Sequence, residues 1–225
     1  MTGIVLTRSV TCPCWALHSF WPKWDLVDRR WKDVSLANLA PSHLSHSPVK
    51  EQEQNIAAIK TNPTGSFILA GAGCAGKTYF MYCLYRNRLE EWAAHPDAAN
   101  GQSVWMLSAT DYLNSVSRHA QDPSSRAPVV TADLIRKRSR QGLPVAIFVD
   151  EIDKFTPTEP RLSALFELIN TAYSCKAQIV MTSNIPPDDL APKWGNDLGG
   201  HILRRVGAAP DGSTLTFSFD RKVGQ

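Results

Sequence analysis

The stretch Phe67-Ile68-Leu69-Ala70-Gly71-Ala72-Gly73-Cys74-Ala75-Gly76-Lys77-Thr78 decides the fold of this chain. It begins with apolar residues typical of a buried strand and continues with the spacing GxxxxGK[ST]. In loops of this pattern, backbone N–H groups and a helix N-terminus surround the phosphates of a nucleotide. The sequence therefore predicts a strand, a phosphate-binding loop and a following helix.

Each position of this loop has an expected role. Lys77 is expected to bring its charge to the terminal phosphates of ATP, and the Thr78 hydroxyl is expected to bind Mg²⁺. The alternative is a glycine-rich turn that binds no nucleotide, but an apolar strand precedes the loop and an amphipathic helix follows it. The predicted nucleotide-binding residues are Gly71, Ala72, Gly73, Cys74, Ala75, Gly76, Lys77, Thr78 and Tyr79.

The composition favours one globular domain with an appendage. The 225 residues are 43% hydrophobic and 20% charged, with a net charge of +3. The sequence contains no run of about 18 apolar residues that could span a membrane, and residues 1–10 lack the apolar core of a secretion signal. The five cysteines are an odd number, which suits reduced thiols better than a disulfide framework. We therefore expect a cytoplasmic protein without a membrane partner.

The first 30 residues differ from the rest of the chain. Trp15, Trp21 and Trp24 lie among prolines without a helical or strand period, which predicts an irregular N-terminal arm over residues 1–30 and one domain over residues 31–225. The tryptophans favour docking of this arm onto the domain or onto a neighbouring subunit. The alternative is a zinc site at Cys12, Cys14 and His18, but a closed site needs a fourth ligand.

A second chemical pattern is the apolar run Val145-Ala146-Ile147-Phe148-Val149, which ends in Asp150 and Glu151. Continuous apolar residues indicate a strand that is buried on both faces of a sheet. We expect Asp150 to hold Mg²⁺ and Glu151 to orient and deprotonate the attacking water. Taken alone, the acidic pair could instead cap a helix. Together with the phosphate loop, it favours hydrolysis of the nucleotide over phosphoryl transfer to a metabolite.

Two later elements complete the predicted site. The strand over residues 177–182 ends before Asn184, which at the carboxyl edge of a parallel sheet is placed to position water or to contact the γ-phosphate. The alternative is a polar turn before Pro186 and Pro187. A short helix over residues 198–206 carries Arg204 and Arg205, and a last strand is predicted over residues 214–219.

The order of these motifs resembles AAA+ ATPases, and within them the DnaC-type helicase loaders and the IstB-type transposition ATPases, which are relatives of DnaA. The resemblance implies a three-layer α/β fold of the P-loop NTPase class, with a central parallel sheet and no separate helical lid domain. It identifies Lys77 and Thr78 as Walker A, Asp150 and Glu151 as Walker B, and Asn184 as sensor 1. It also implies an arginine finger, for which Arg205 is preferred and Arg204 is second.

The same resemblance implies partners. An arginine finger acts on the nucleotide of a neighbouring copy, so a homo-oligomer is expected. A basic region corresponds in position to the segment that lines the DNA channel in these relatives, and it would contact phosphates rather than read bases. A solvated helix face is the alternative. The predicted DNA-binding residues are Arg118, Arg126, Arg136, Lys137, Arg138 and Arg140.

Three functions remain open from the sequence. The first is an ATPase that assembles on DNA and loads or remodels a replicative helicase. The second is the same machine as a transposition or phage accessory that delivers a transposase or recombinase; the irregular arm, in place of the helicase-gripping domain of DnaC-type loaders, is compatible with it. The third is a nucleotide-gated protein adaptor that binds no DNA and turns over negligible ATP.

Overall fold

The computed structural model describes residues 33–41, 47–207 and 212–217. The N-terminal arm and the three residues considered for zinc lie outside these ranges, so both remain sequence predictions. The helices are α1 (Val49–Thr61), α2 (Lys77–Ala94), α3 (Ala109–Gln121), α4 (Ala132–Arg140), α5 (Glu159–Ser174), α6 (Pro187–Lys193) and α7 (Asn196–Gly207), with a 3₁₀ turn at Ala98–Asn100. The strands are β1 (Phe67–Gly71), β2 (Val104–Ser108), β3 (Ala146–Asp150), β4 (Gln178–Ser183) and β5 (Ser213–Phe217).

These strands form one parallel sheet in the order β2-β3-β4-β1-β5. The phosphate-loop strand β1 therefore lies between β4 and β5, and β3 pairs with β4 on its other side. Because all strands are parallel, their carboxyl ends meet at one edge of the sheet. The predicted α/β class with a central parallel sheet is confirmed, and the described residues include no separate helical lid domain.

Helices cover both faces of the sheet, which gives three layers. Ala146 and Phe148 of β3 pack on the side of α1 and α2, whereas Ile147 and Val149 pack on the side of the other helices. All four side chains are fully buried. Burial on both faces explains why β3 consists of apolar residues without alternation.

Two helices differ most from the sequence prediction. The sequence favours a helix from Val129 to Gln141, but α4 begins at Ala132 because the Thr131 hydroxyl accepts a hydrogen bond from the Leu134 N–H at 3.2 Å. Val129 is instead 59% exposed. Helix α6 was not predicted, although Pro187 at its start and Asp188 and Asp189 in its first turn are favourable there.

Among the described residues, no helix combines the length and the apolar character that a membrane span requires. The three cysteines described, Cys74, Cys83 and Cys175, are free. The described part of the chain contains no group of three or more His, Cys, Asp or Glu side chains arranged to hold a metal ion.

The edge strand β5 fixes the start of the phosphate loop. The Ala72 N–H donates to the Phe217 carbonyl at 3.1 Å, so the chain just after Gly71 is tied to β5. Gly71 has a φ of 141°, and a Cβ there would lie 1.9 Å from the Phe217 oxygen. Only glycine fits this approach, because any side chain would force β1 and β5 apart.

We predict that Gly71→Ala lowers the free energy of unfolding by about 2 kcal/mol or more, because backbone strain and the clash with Phe217 add together. Urea denaturation of the full chain measures this loss. Gly73→Ala is the matched control, because a Cβ at Gly73 meets no atom within 4 Å. Equal stability of the two variants would contradict the explanation.

Candidate nucleotide-binding site

The phosphate loop connects the end of β1 to the start of α2 at the carboxyl edge of the sheet. Cys74 and Gly76 have φ angles of 58° and 96°. Left-handed residues that alternate with right-handed ones turn successive backbone N–H groups toward a common point, which is the geometry of an anion-binding nest. The Ser47 hydroxyl also bonds the Ala75 carbonyl at 3.3 Å, so the segment before α1 supports the loop from outside.

The predicted loop residues differ in exposure. Gly73 and Cys74 are exposed at the rim, whereas Ala75 is buried beneath the loop. Thr78, the second residue of α2, is half-buried, and Tyr79 follows it with a pKa raised by burial. The oxygen donor set formed by Thr78 and Asp150 suits Mg²⁺, which prefers hydroxyl, carboxylate and water oxygens.

Lys77 is the central side chain of the site. It is 7% exposed, and its Nζ donates to the carbonyls of Gly71 at 2.8 Å and Ala72 at 2.6 Å and to Oδ1 of Asn184 at 3.0 Å. Burial lowers the pKa of Lys77 below its usual 10.5, and the nearby Asp153 and Asp150 carboxylates oppose that shift. The ammonium is thus held among oxygen atoms at the place where phosphates would bind.

Asp150, the last residue of β3, and Glu151, which follows it, lie in different environments. The Asp150 carboxylate accepts a hydrogen bond from the Thr182 hydroxyl of the neighbouring strand. The same Thr182 oxygen accepts the Glu151 N–H at 2.9 Å, and Glu151 has a φ of 55°. Glu151 is exposed and Asp150 is half-buried. A single buried hydroxyl therefore positions both predicted Walker B residues.

Asp153 is a residue of this site that the sequence analysis missed. It is 6% exposed, and its carboxylate accepts hydrogen bonds from the Asn184 backbone N–H at 3.0 Å and from Asn184 Nδ2 at 3.2 Å. The Asp153 carbonyl in turn accepts a bond from Lys193 Nζ at 3.0 Å. A signal was available, because Asp153 follows Asp150 by three residues in Asp-Glu-Ile-Asp.

Arg204 and Arg205 lie at the opposite edge of the sheet from the phosphate loop. They are in the last turn of α7, which leads to the start of β5, and Ser213 there pairs with Phe67 at the start of β1. The Arg205 guanidinium lies 4.8 Å from the centre of the Tyr173 ring. A guanidinium N–H of Arg204 lies 3.2 Å from Nδ1 of His201. Neither arginine joins the site formed by its own chain.

The predicted DNA-binding residues fall into two groups. Arg136 and Arg138 bond within the domain: Arg136 pairs with Asp133 at 2.9 Å, and Arg138 contacts the Gln102 carbonyl at 3.2 Å. Arg136 is nevertheless exposed, as are the other four side chains, which are Arg118, Arg126, Lys137 and Arg140. Arg118 also contacts the Asn114 carbonyl of its own helix at 3.4 Å. Within the described ranges, no hydrogen bond or ion pair engages the side chain of Lys137 or Arg140.

The fold of this chain is similar to that of several solved structures. A DnaA bound to AMPPCP and single-stranded DNA matches 87% of this chain and 52% of its own, with 16% identity and a TM-score of 0.54. DnaI matches 85% of this chain and 91% of its own, with 14% identity and a TM-score of 0.55. The DnaC helicase loader matches 84% of this chain and 99% of its own, with 14% identity and a TM-score of 0.51.

This chain has the fold of the AAA+ domains of DnaA and the DnaC-type helicase loaders. The resemblance predicted from the order of the motifs is thereby confirmed. In sequence, the chain is 30% identical over 127 residues to the chromosomal replication initiator DnaA of Lactobacillus helveticus strain DPC 4571. The aligned residues are 55% of this chain and 24% of that protein. No protein-family model matches the chain. The roles of individual residues within the AAA+ fold remain predictions.

We predict that Thr182→Val lowers the free energy of unfolding by about 1.5 to 3 kcal/mol, because the half-buried Asp150 carboxylate and the Glu151 backbone N–H lose their shared partner. Urea denaturation measures the change. Thr216→Val is the matched control, because Thr216 is an exposed residue of β5. Equal effects of the two substitutions would show that the hydroxyl of Thr182 does not hold Asp150 and Glu151.

Proposed function

We propose that this chain is an ATP-hydrolysing AAA+ protein that assembles on DNA and loads or remodels a DNA-processing partner, with a replicative helicase as the first candidate. The observation that carries the proposal is the convergence of four predicted functional side chains at one edge of the sheet. They are the buried ammonium of Lys77, the amide of Asn184 bonded to it, and the acids Asp150 and Glu151 on the adjacent strand end.

The chemistry follows from the position of each group. The loop N–H groups and the Lys77 ammonium would bind the phosphates, exchanging the loop carbonyls for phosphate oxygens. Thr78 and Asp150 would hold Mg²⁺, which when bound neutralises charge on the β- and γ-phosphate oxygens. The exposed carboxylate of Glu151 would orient the attacking water and accept its proton. Asp150 is held by Thr182 and is thus less free to accept that proton.

The positions of Arg204 and Arg205 support assembly. A copy of this chain cannot bring either arginine to its own phosphates, because they lie at the other edge of the sheet. Charge also differs between the edges: the last turns of α4 and α7 are basic, whereas the first turns of α6 and α7 carry Asp188, Asp189 and Asp197. Opposite charges at opposite edges favour head-to-tail contact between copies.

Exposed basic residues support binding to DNA phosphates. Arg118 lies near the end of α3, Arg126 lies in the connection to α4, and Lys137 and Arg140 lie on α4. These side chains are exposed, so contact with phosphates would not break a core. A DnaA with the same fold has been determined with AMPPCP and single-stranded DNA, and DnaC is described as a helicase loader, which is why this class of partner is proposed first.

We predict that wild-type protein hydrolyses ATP faster with single-stranded DNA, and that Arg205→Ala lowers the stimulated rate by about three orders of magnitude. The reason is that the γ-phosphate loses the positive charge supplied by a neighbouring copy. Phosphate release at fixed protein concentration measures the rate. Arg204→Ala tests the second candidate for the finger: its side chain is exposed and adjacent to Arg205, and a loss of rate there with none in Arg205→Ala would assign the finger to Arg204.

Mixing the inactive Arg205→Ala protein with Lys77→Ala protein is expected to restore turnover. The Lys77→Ala copy cannot hydrolyse ATP but can donate its own Arg205 to the intact site of the other variant. No recovery would contradict a shared site. Turnover that is negligible and unaffected by DNA would favour the nucleotide-gated adaptor.

We predict that the double variant Lys137→Ala/Arg140→Ala weakens binding to single-stranded DNA and makes the dependence of log K on log salt shallower by about 1.4. With two cationic side chains fewer, binding of the protein releases fewer counterions from the DNA. Fluorescence anisotropy of a labelled oligonucleotide, with a nonhydrolysable ATP analogue present, measures both effects. Lys50→Ala/Lys60→Ala is the control, because these lysines are exposed on α1, across the sheet from α4.

Two results would count against the DNA interface. One is an unchanged salt slope in Lys137→Ala/Arg140→Ala, and the other is an equal loss of affinity in the α1 control. Either result would show that α4 is a solvated face rather than a phosphate-binding surface.

A further inference from the structure

Asp153 fixes which way the side-chain amide of Asn184 faces. On one side, Asn184 Nδ2 donates to the Asp153 carboxylate at 3.2 Å, and on the other side Asn184 Oδ1 accepts from Lys77 Nζ at 3.0 Å. The backbone N–H of Asn184 also donates to Asp153, at 3.0 Å. Asp153 therefore holds both the main chain and the side chain of this residue.

The opposite orientation of the amide is unfavourable for reasons of charge. Turned by 180°, the amide would place its oxygen against the Asp153 carboxylate and its NH₂ group against the Lys77 ammonium. Acceptor would then face acceptor and donor would face donor, with two buried ionised groups left without these partners. Asp153 and Lys77 are 6% and 7% exposed, so water offers little compensation.

We propose that Asp153 is a positioning residue: it keeps the Asn184 amide oxygen turned toward the phosphate-binding end of Lys77, where that oxygen accepts a hydrogen bond from the attacking water. This proposal rests on the proposed ATP hydrolysis. In that reaction the water oxygen bonds to the γ-phosphorus, and the bond from that phosphorus to the β–γ bridging oxygen breaks. The electron pair of that bond remains on ADP, and a proton of the water passes to Glu151.

The proposal decides between two roles for Asn184. A donor to the γ-phosphate would need its NH₂ group at the phosphates, but that group is engaged by Asp153. An acceptor cannot bond a phosphate oxygen that carries no proton, but it can bond a water. Asn184 is therefore assigned to the water, and Asp153 is what enforces the assignment.

Because Asp153 is negatively charged, its effect on the chemical step can be distinguished from an effect on nucleotide binding. A carboxylate close to the phosphate site repels the nucleotide, so its removal should leave nucleotide affinity unchanged or make it tighter. Loss of amide orientation should at the same time slow the chemical step. A residue that only stabilised the fold would not give this combination of unchanged or tighter binding with slower turnover.

The test compares Asp153→Asn, Asn184→Ala and the double variant with wild type in the full chain. We expect Asp153→Asn to lower kcat about 10- to 100-fold, because a misplaced water loses its near-attack geometry. Titration with fluorescent ADP and a nonhydrolysable ATP analogue should show unchanged or tighter binding. Asp97→Asn, the same substitution at an exposed residue just before the 3₁₀ turn, is the matched control and should leave kcat unchanged.

The double variant tests whether Asp153 acts through Asn184. If it does, adding Asp153→Asn to Asn184→Ala lowers kcat no further, since the two residues work as a unit. A further loss in the double variant would overturn the proposal, because Asp153 would then act on its own. Wild-type kcat in Asp153→Asn would also overturn it, as would weaker nucleotide binding together with a lower melting temperature.

A failure of the proposed function is distinguishable from a failure of this inference. If wild-type protein binds nucleotide but does not turn over, ATP hydrolysis is wrong and the amide is examined directly by NMR. The Asn184 side-chain NH₂ resonances, identified by their loss in Asn184→Ala, should shift in Asp153→Asn because the bond to the carboxylate is gone. Unchanged resonances would overturn the assigned orientation.

Discussion

The parallel pairing of β1 with β4 is the constraint on which the candidate site depends. It brings Lys77 to Asn184, which is 107 positions later in the chain, with 3.0 Å between Nζ and Oδ1. The next pairing, β4 with β3, brings the hydroxyl of Thr182 to the Asp150 carboxylate. Since parallel strands end at the same edge, three distant segments deliver their polar residues to one place without any loop having to cross the sheet.

Two charged side chains, Lys77 and Asp153, are buried at this edge of the sheet, and each needs polar partners there. Isolated, the ammonium of Lys77 or the carboxylate of Asp153 would be strongly destabilising at such low exposure. Asn184 lies between them and satisfies both, with its amide oxygen on the cation and its NH₂ group on the anion. A neutral side chain thus links two opposite charges, so neither has to pair directly with the other and Lys77 stays free to exchange partners.

The phosphate loop and the end of β3 were predictable because their signals are local. Gly71, Gly76 and Lys77 have fixed spacing in the sequence, and the apolar run before Asp150 records burial on two faces. Asp153 has only the weaker signal of its spacing from Asp150, and Thr182 has none, because their roles come from contacts between the end of β3 and the end of β4. The limits of α4 were missed for another reason: the predicted helix included Val129, whereas the Thr131 hydroxyl caps a helix that begins later. Helix α6 was missed because Pro186 and Pro187 were considered only as the residues that follow a polar turn.

The separation of Arg205 from its own phosphate loop has a consequence for counting active sites. If Arg205 acts on the nucleotide of a neighbouring copy as proposed, a single copy has no complete site, and an open row of copies has one complete site fewer than it has copies. A closed ring removes that deficit, since its last copy meets the first. Activity per copy would then depend on the length and closure of the assembly, so concentration alone could switch the chemistry on without any change in the fold.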